Sequence, residues 1–375
     1  MSEEKAKATR ISPREAPTLF PILTNAPTGL ARLAAQAQPA GEGHNIEFKT
    51  LDSRSILNRS ISRRQLSLAW SINPYRGCEF ACRYCYARYT HEFLDPAPIS
   101  PVPNQGATSA PPEPQSWATA FEHRIYLKQN AAWLLEQDLK SVDPAQEIAL
   151  GTATDPYQPI ERRAQITRGL LQVFARRSGY RLGIVTKSNL ILRDIDLLQQ
   201  IAHHNTLVLH LTITTTDTTL ARRLEPRAPR PDLRFQAVRA LRDAGLTAGI
   251  LCSPLLPGLT DNAEALDRMA ARAARVRASF FAAQPLFLKS CSRPTYLSFV
   301  REHFPALLPL YEEHFRITDF APQPYRQRMA ALVAAACTRH HLAPRSSDAL
   351  LTRDVGALKK PPATVDAPRQ QSLFA

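Results

Sequence analysis

The sequence predicts an α/β fold: a partial (β/α)6 TIM-like barrel with a C-terminal helical segment and disordered termini. Three observations predict it. Six short, near-continuous apolar runs recur along the chain, the pattern of strands buried on both faces. Amphipathic helices alternate with them, as in a parallel sheet covered by helices. A tight run of cysteines follows the first apolar run directly, at the strand end where parallel α/β folds keep their chemistry. Six units fall short of the eight that close a barrel, so the sheet should stay open.

Residues 1 to 45 mix Ala, Pro, Gly and charge without periodicity and read as disordered. Residues 46 to 66 carry Arg54, Arg59, Arg63 and Arg64 with few apolar anchors, and should wrap the outside. Leu66 to Ile72 forms the first strand. Residues 95 to 115 are Pro-rich and read as an exposed insertion. A helix follows from Ala131 to Leu139.

The next strands are Ile148–Thr152, Leu182–Thr186, Leu207–Ile213, Leu246–Cys252 and Ser279–Leu288. One helix, from about Ala164 to Arg177, carries Ile166, Leu170, Val173 and Phe174 on one side. Another, Leu190 to Ala202, carries Leu192, Ile195, Leu198 and Ile201. Asp232 should cap a helix bearing Phe235, Val238 and Leu241, closed by Gly245. Asp261 with Glu264 makes a capping-box-like start for a helix to about Arg275.

Residues 285 to 320 match no motif. A last helix, Pro324 to His340, places Met329, Leu332, Val333 and Ala336 on one face, to cap the barrel or cover its open side. After Pro344 the chain turns polar and Pro-rich. The domain limits are thus 46–345, with tails at 1–45 and 346–375.

Of the 375 residues, 44% are hydrophobic, enough for a sizeable core. No apolar run reaches membrane-spanning length, and Ser2 to Arg10 contain no signal-peptide core. A soluble, cytoplasmic protein without a membrane partner is expected. Six cysteines, three of them scattered as Cys252, Cys291 and Cys337, are not a secreted disulfide framework. Lys and Arg number 47 against 33 Asp and Glu, a net charge of +14. That excess suits a polyanionic partner such as nucleic acid; a solvated basic surface is the plainer reading.

Cys78, Cys82 and Cys85 form C-x3-C-x2-C. Thiolates packed that closely repel one another unless a cation binds them, which indicates a metal site. Three ligands on one loop fit a cubane iron–sulfur cluster with one iron left open. The alternative is structural zinc with His91 or Cys252 as fourth ligand.

The cysteine spacing, with Tyr84 as the aromatic before the third cysteine, resembles that of radical S-adenosylmethionine (SAM) enzymes, and the string from Asn73 to Tyr86 resembles their spore-photoproduct-lyase-like branch. The resemblance implies the partial barrel, a [4Fe-4S] cluster, and SAM chelated to the open iron. One electron, from a reductant such as flavodoxin or ferredoxin, then yields methionine and a 5′-deoxyadenosyl radical.

It also implies cofactor contacts. Thr152, Thr154 and Asp155 resemble the segment that receives the methionine amino group. Lys187 and Ser188 end the third strand and Thr212 and Thr214 the fourth, where they suit ribose or carboxylate. Leu-Glu-Pro-Arg at 224–227 matches the branch, with Glu225 and Arg227 pairing with each other or with cofactor and substrate. Residues 254–261 resemble the adenine loop, with Gly258 letting backbone approach the ring.

Spore photoproduct lyases return hydrogen through a cysteine beyond the second strand. Here that segment offers Thr152, so Cys252 and Cys291 are the candidate donors. Tyr75, Tyr86, Tyr89 and Tyr157 could relay a radical or stack on a base. Gln370, Leu373 and Phe374 fit a Q-x-x-L-F peptide resembling sliding-clamp ligands.

The expected function is a radical SAM enzyme acting on nucleic acid, with DNA damage resembling a pyrimidine photoproduct favoured. Alternatives are RNA, protein or a small molecule as substrate, or a clamp-tethered binding module with a structural cluster.

Overall fold

The computed structural model describes residues 29–43, 46–59, 68–94 and 116–343. Six of the seven strands of the main sheet are β1 (Leu68–Ile72), β2 (Glu147–Leu150), β3 (Arg181–Thr186), β4 (Thr206–Thr212), β5 (Ala248–Leu255) and β6 (Phe281–Pro285). They lie in chain order and every neighbouring pair is parallel. A short strand, Leu57–Arg59, pairs antiparallel with β1 on its outer edge. β1 and β6 do not pair, so the sheet is the open partial barrel expected. All six C-terminal strand ends therefore meet at one rim.

The strands are apolar because both faces are covered. Ile148, Leu150, Leu182, Ile184, Leu209, Leu211 and Ile250 are fully buried. Each such side chain contributes about 1.5–3 kcal/mol on leaving water. The outer layer comprises α1 (Ala131–Asp138), α2 (Ile166–Ala175), α3 (Ile195–His204), α4 (Pro231–Asp243), α5 (Ala263–Arg275) and α6 (Gln323–Arg339). In α2 the predicted face of Ile166, Leu170, Val173 and Phe174 is buried. In α4 so are Phe235, Val238 and Leu241. α6 packs on β6 and α5 and buries Met329 and Ala336 of its expected face, with Leu332 and Val333 half-buried.

Several boundaries differ for local reasons. β2 stops at Leu150 because Gly151 turns the chain at φ +92°; a Cβ there would meet Val185 O at 2.5 Å. Thr152 thus lies in the loop, not the strand. The helix expected from Ala164 is split: Gln165 adopts φ +51° between a turn at Glu161–Ala164 and α2. A 3-10 turn, Asn189–Asp194, precedes α3. Asn262, not Asp261, caps α5 by accepting the Ala265 N–H at 2.8 Å, while Asp261 accepts the Gly258 N–H at 2.9 Å. Asp232 is not a cap; it lies in the first turn of α4 and pairs with Arg272 at 2.5 Å.

A second sheet was not foreseen. Its order is Pro39–Gly43, Ile46–Thr50, Arg124–Leu127, Tyr75–Arg76. The stretch before 45, expected to be disordered, contains its first strand and a helix at Gly29–Ala35. This sheet bears on the site because Tyr75–Arg76 pairs antiparallel with Arg124–Leu127 just before the cysteines. Residues 285–320 form helices Arg293–His303 and Leu308–His314.

The Pro-rich insertion and the tail peptide of Gln370, Leu373 and Phe374 lie outside the described residues. Among the described residues no helix is long and apolar enough to cross a membrane.

Candidate active site

The site begins where β1 ends. Gly77, at φ +82°, turns the chain toward the cysteines. A Cβ there would stand 2.8 Å from the carbonyl oxygens of both Phe121 and Arg124, so only glycine fits. Cys78, Cys82 and Cys85 follow on a loop held from every side. The Cys78 N–H donates to Phe121 O at 3.0 Å and the Arg83 N–H to Leu224 O at 2.9 Å. Gln158 Oε1 accepts the Glu79 N–H at 2.8 Å, and Glu79 Oε1 accepts the Ile160 N–H at 2.6 Å. Buried Arg88 donates to Cys82 O, to Ala118 O and to Glu122. Ser292 donates to Cys85 O at 2.6 Å.

All three cysteines are unpaired, and Cys78 and Cys82 are buried. Burial pushes each thiol up, Cys82 to about 12; Cys82 and Cys85 raise Cys78 further, and Cys85 raises Cys82. Holding three thiolates together here therefore needs a cation, the donor set a cluster completes. Among the described residues no three His, Cys, Asp or Glu side chains converge as the ligands of one ion do. In a cubane each thiolate binds a different iron, so its ligands need not meet at one ion.

Among the described residues neither proposed fourth zinc ligand, His91 nor Cys252, joins the cysteines in a group placed to hold one ion. His91 Nε2 donates to Arg124 O at 3.0 Å, and its ring packs on Phe121 and Tyr126. Cys252, 2% exposed on β5, points its Sγ to Thr214 O at 3.8 Å.

Beside the cysteines lies a buried polar set that sequence reading did not assemble. Tyr84 donates to Glu225 and lies 2.9 Å from Thr214 Oγ1. Glu225 pairs with Arg234 at 2.5 Å, both 1% exposed. The expected Glu225–Arg227 pair is not formed: Arg227 donates instead to Glu79 O and Glu122 O. Burial alone would raise Glu225, but Arg234 and Lys187 hold it below the usual range. Burial likewise opposes the charge on Lys187, yet Cys82 and Glu225 hold it above its ordinary value. Its ammonium lies 5.8 Å from the Tyr84 ring centre. Tyr84, Thr214 and Lys187 are thus brought together beside Cys82. Thr212 is buried nearby, with its carbonyl bonded to Arg234 at 3.0 Å.

Other candidates bear on the loop's framework. Thr154 Oγ1 donates to Gly77 O at 2.6 Å. Asp155 accepts from Thr186 Oγ1 and the Lys187 N–H, both at 2.7 Å. Ser188 Oγ accepts the Leu190 N–H as a cap. Gly258, at φ +74°, faces Leu307, whose Cδ2 would lie 2.7 Å from an added Cβ.

Thr152 lies at the rim, where its carbonyl accepts from Tyr86 and Asn73 Nδ2 donates to its Oγ1 at 3.4 Å. Tyr86 and Phe287 face each other with ring centres 6.1 Å apart. Cys291, half-buried beside Ser292, is next to the residue that holds Cys85. Lys289 stands 3.9 Å from the Tyr89 ring centre. Tyr75 and Tyr157 are wholly buried beneath the site.

Sequence reading missed Asn73, whose Oδ1 accepts the Ala153 N–H at 2.8 Å. It also missed Lys128, buried next to Arg76 and pushed down to about 7 by that burial. The Asn-Pro-Tyr-Arg string before the cysteines was the available signal for Asn73. Lys128 carried none.

Residues 72–270 match the family model described as the Radical SAM superfamily. The chain belongs to that superfamily. Radical SAM proteins bind a [4Fe-4S] cluster and SAM, and the chain is an enzyme of this kind. A [4Fe-4S] cluster held there would supply the electron for reductive cleavage of SAM. The protein holds, orients and shields that chemistry; Cys78, Cys82 and Cys85 are the residues that would ligate the cluster.

An uncharacterised protein of Mycobacterium tuberculosis is 31% identical over 326 residues, 86% of this chain and 90% of its own. One of Methanocaldococcus jannaschii is 30% identical over 190 residues, 51% of this chain and 61% of its own. Among solved radical SAM structures, a spore photoproduct lyase variant with AdoMet and dinucleoside spore photoproduct bound superposes with TM-score 0.54. Its identity is 14%, over 78% of this chain and 79% of that one. That likeness is one of fold.

Proposed function

We propose that this radical SAM enzyme acts on nucleic acid, with a DNA lesion resembling a pyrimidine photoproduct as the favoured substrate. The observation that carries the reading is the fold shared with a lyase solved on a dinucleoside photoproduct, across more than three quarters of both chains. A net charge of +14 supports it, since flanking phosphates need cationic partners. A base attacked within a duplex must first be exposed, and a damaged base unstacks at lower cost.

Cys291 is the favoured hydrogen-atom donor. It is half-exposed beside the residue holding Cys85, whereas Cys252 is buried against Thr214. Lys187, Thr214, Thr212 and Thr152 are the favoured SAM contacts. The tail peptide of Gln370, Leu373 and Phe374 would tether the enzyme to a sliding clamp.

An anaerobic screen of irradiated and intact DNA, RNA and peptides tests the reading, with 5′-deoxyadenosine as readout. Turnover stimulated by irradiated DNA is expected. Stimulation by RNA or peptide alone would contradict it.

A further inference from the structure

The outer side of the cysteine loop carries a group of arginines that the chemistry above does not use. Arg83 lies between two cluster ligands, Cys82 and Cys85, and is half-buried. Its N–H donates to Leu224 O, the last residue of the short helix Thr218–Leu224. That contact sets Arg83 beside the end of the helix that carries Arg222 and Arg223, both exposed. Arg227, also exposed, lies with its guanidinium on Glu79 O, one residue from Cys78. The Arg227 guanidinium and the Arg83 backbone thus adjoin the cysteine loop, and exposed Arg222 and Arg223 lie on the helix whose last carbonyl the loop holds.

Nearby carboxylates neutralise the group only in part: Glu225 pairs with Arg234 and Glu122 with Arg88, while buried Glu79 lies within electrostatic reach of Arg227 and Arg163. No ion pair of Arg83, Arg222 or Arg223 occurs among the described residues.

We propose that this patch is the docking surface for the one-electron donor, an acidic redox protein of the flavodoxin or ferredoxin kind. The inference rests on the radical SAM reading and adds where the electron enters. Three features select this occupant. A partner seated on Arg83 stands one residue from a cluster ligand, so its redox group comes close to the cluster without entering the barrel. The charge is concentrated and positive, which suits acidic partners and steers their encounter. Electron-transfer complexes also use small contacts, and four side chains on one helix end and one loop form such an area. In the step, the donor loses one electron and the cluster gains it; no bond is made and no proton moves at the patch.

The test uses anaerobically reconstituted holoenzyme and the double variant Arg222→Glu/Arg223→Glu. Stopped-flow bleaching of the cluster absorption gives the rate of reduction by flavodoxin hydroquinone and by dithionite, at low and high salt. Calorimetry gives the affinity for oxidised flavodoxin. The expected result is at least a tenfold fall in the flavodoxin rate and a matching loss of affinity at low salt. The difference should shrink at high salt, with the dithionite rate within about twofold of wild type.

An unchanged flavodoxin rate would overturn the proposal. So would an equal fall with dithionite, which would make these arginines supports of the loop. Loss of DNA binding with flavodoxin reduction intact would reassign the patch to nucleic acid. Failure of the radical SAM reading itself would show separately, as no 5′-deoxyadenosine from dithionite-reduced wild type.

Discussion

Glu225 is where the polar surroundings of the cysteine loop converge, taking hydrogen bonds from Tyr84 and Thr214 and the charge of Arg234. Removing one partner of a buried ion pair costs about 3–5 kcal/mol, because the other charge is left uncompensated. Glu225→Gln should therefore lose about that much in anaerobic chemical denaturation; a loss under about 1 kcal/mol would mean Arg234 finds another acceptor. Buried histidines give a pH signature. Burial pushes His91 and His210 down to about 4 from 6.5. Below 6.5 the unfolded chain takes up protons that the folded chain refuses, so stability falls as pH drops from 6.5 toward 4. Each contributes about 1.36 kcal/mol per pH unit in that window. His210→Leu should lower the acid slope by about one proton; an unchanged slope would show that His210 does not titrate on unfolding. The cysteines were legible from spacing alone. The Glu225–Arg234 pair was not, because which of seven neighbouring arginines meets a carboxylate depends on how α4 packs against β4.

At the scale of elements, the cysteine loop is set by a turn and by what lies beneath it. Gly77→Ala combines a strained backbone angle with contact on two carbonyl oxygens. It should abolish cluster incorporation, measured as iron per chain. Gly245→Ala is the matched control: φ is +81° there, but nothing lies within 4 Å of an added Cβ. It should cost about 1 kcal/mol and leave iron content unchanged. Equal iron loss in both would make backbone strain alone responsible. Below the loop, Tyr75 donates to Glu161, which also accepts from Arg193 at 2.7 Å and from the Thr167 N–H at 2.9 Å. That joins the cysteine segment to α2.

The six barrel strands were readable because burial on both faces leaves an apolar run. The second sheet was not, since Pro39–Gly43 has no alternation and Tyr75–Arg76 is only two residues long. Helix caps were misplaced by one residue at Asp261, where Asn262 accepts equally well. The helices at 293–303 and 308–314 open with Pro in the first turn, which reads as loop, although Tyr296, Phe299 and Val300 were an apolar stripe that could have revealed the first of them.

The whole molecule presents an open parallel barrel whose rim carries the cysteine loop, and a surface with net charge +14. If nucleic acid is the substrate, binding should weaken steeply with salt. Contact with about six phosphates would lose about 10³-fold in affinity between 50 and 200 mM. A flat salt dependence would turn attention to a protein or small-molecule substrate. Leu373→Ala/Phe374→Ala should abolish sliding-clamp binding while leaving cluster content intact; clamp binding that survives would dismiss the tether.

The most direct test of the central claim, three thiolates holding a cubane with one iron free for SAM, is made on anaerobically reconstituted protein. Iron, sulfide and 5′-deoxyadenosine are measured together after reduction in the presence of SAM. About four irons and four sulfides per chain, with 5′-deoxyadenosine formed and both lost in Cys82→Ala, is the result predicted. Zinc in place of iron, or an intact cluster that leaves SAM uncleaved, would contradict it.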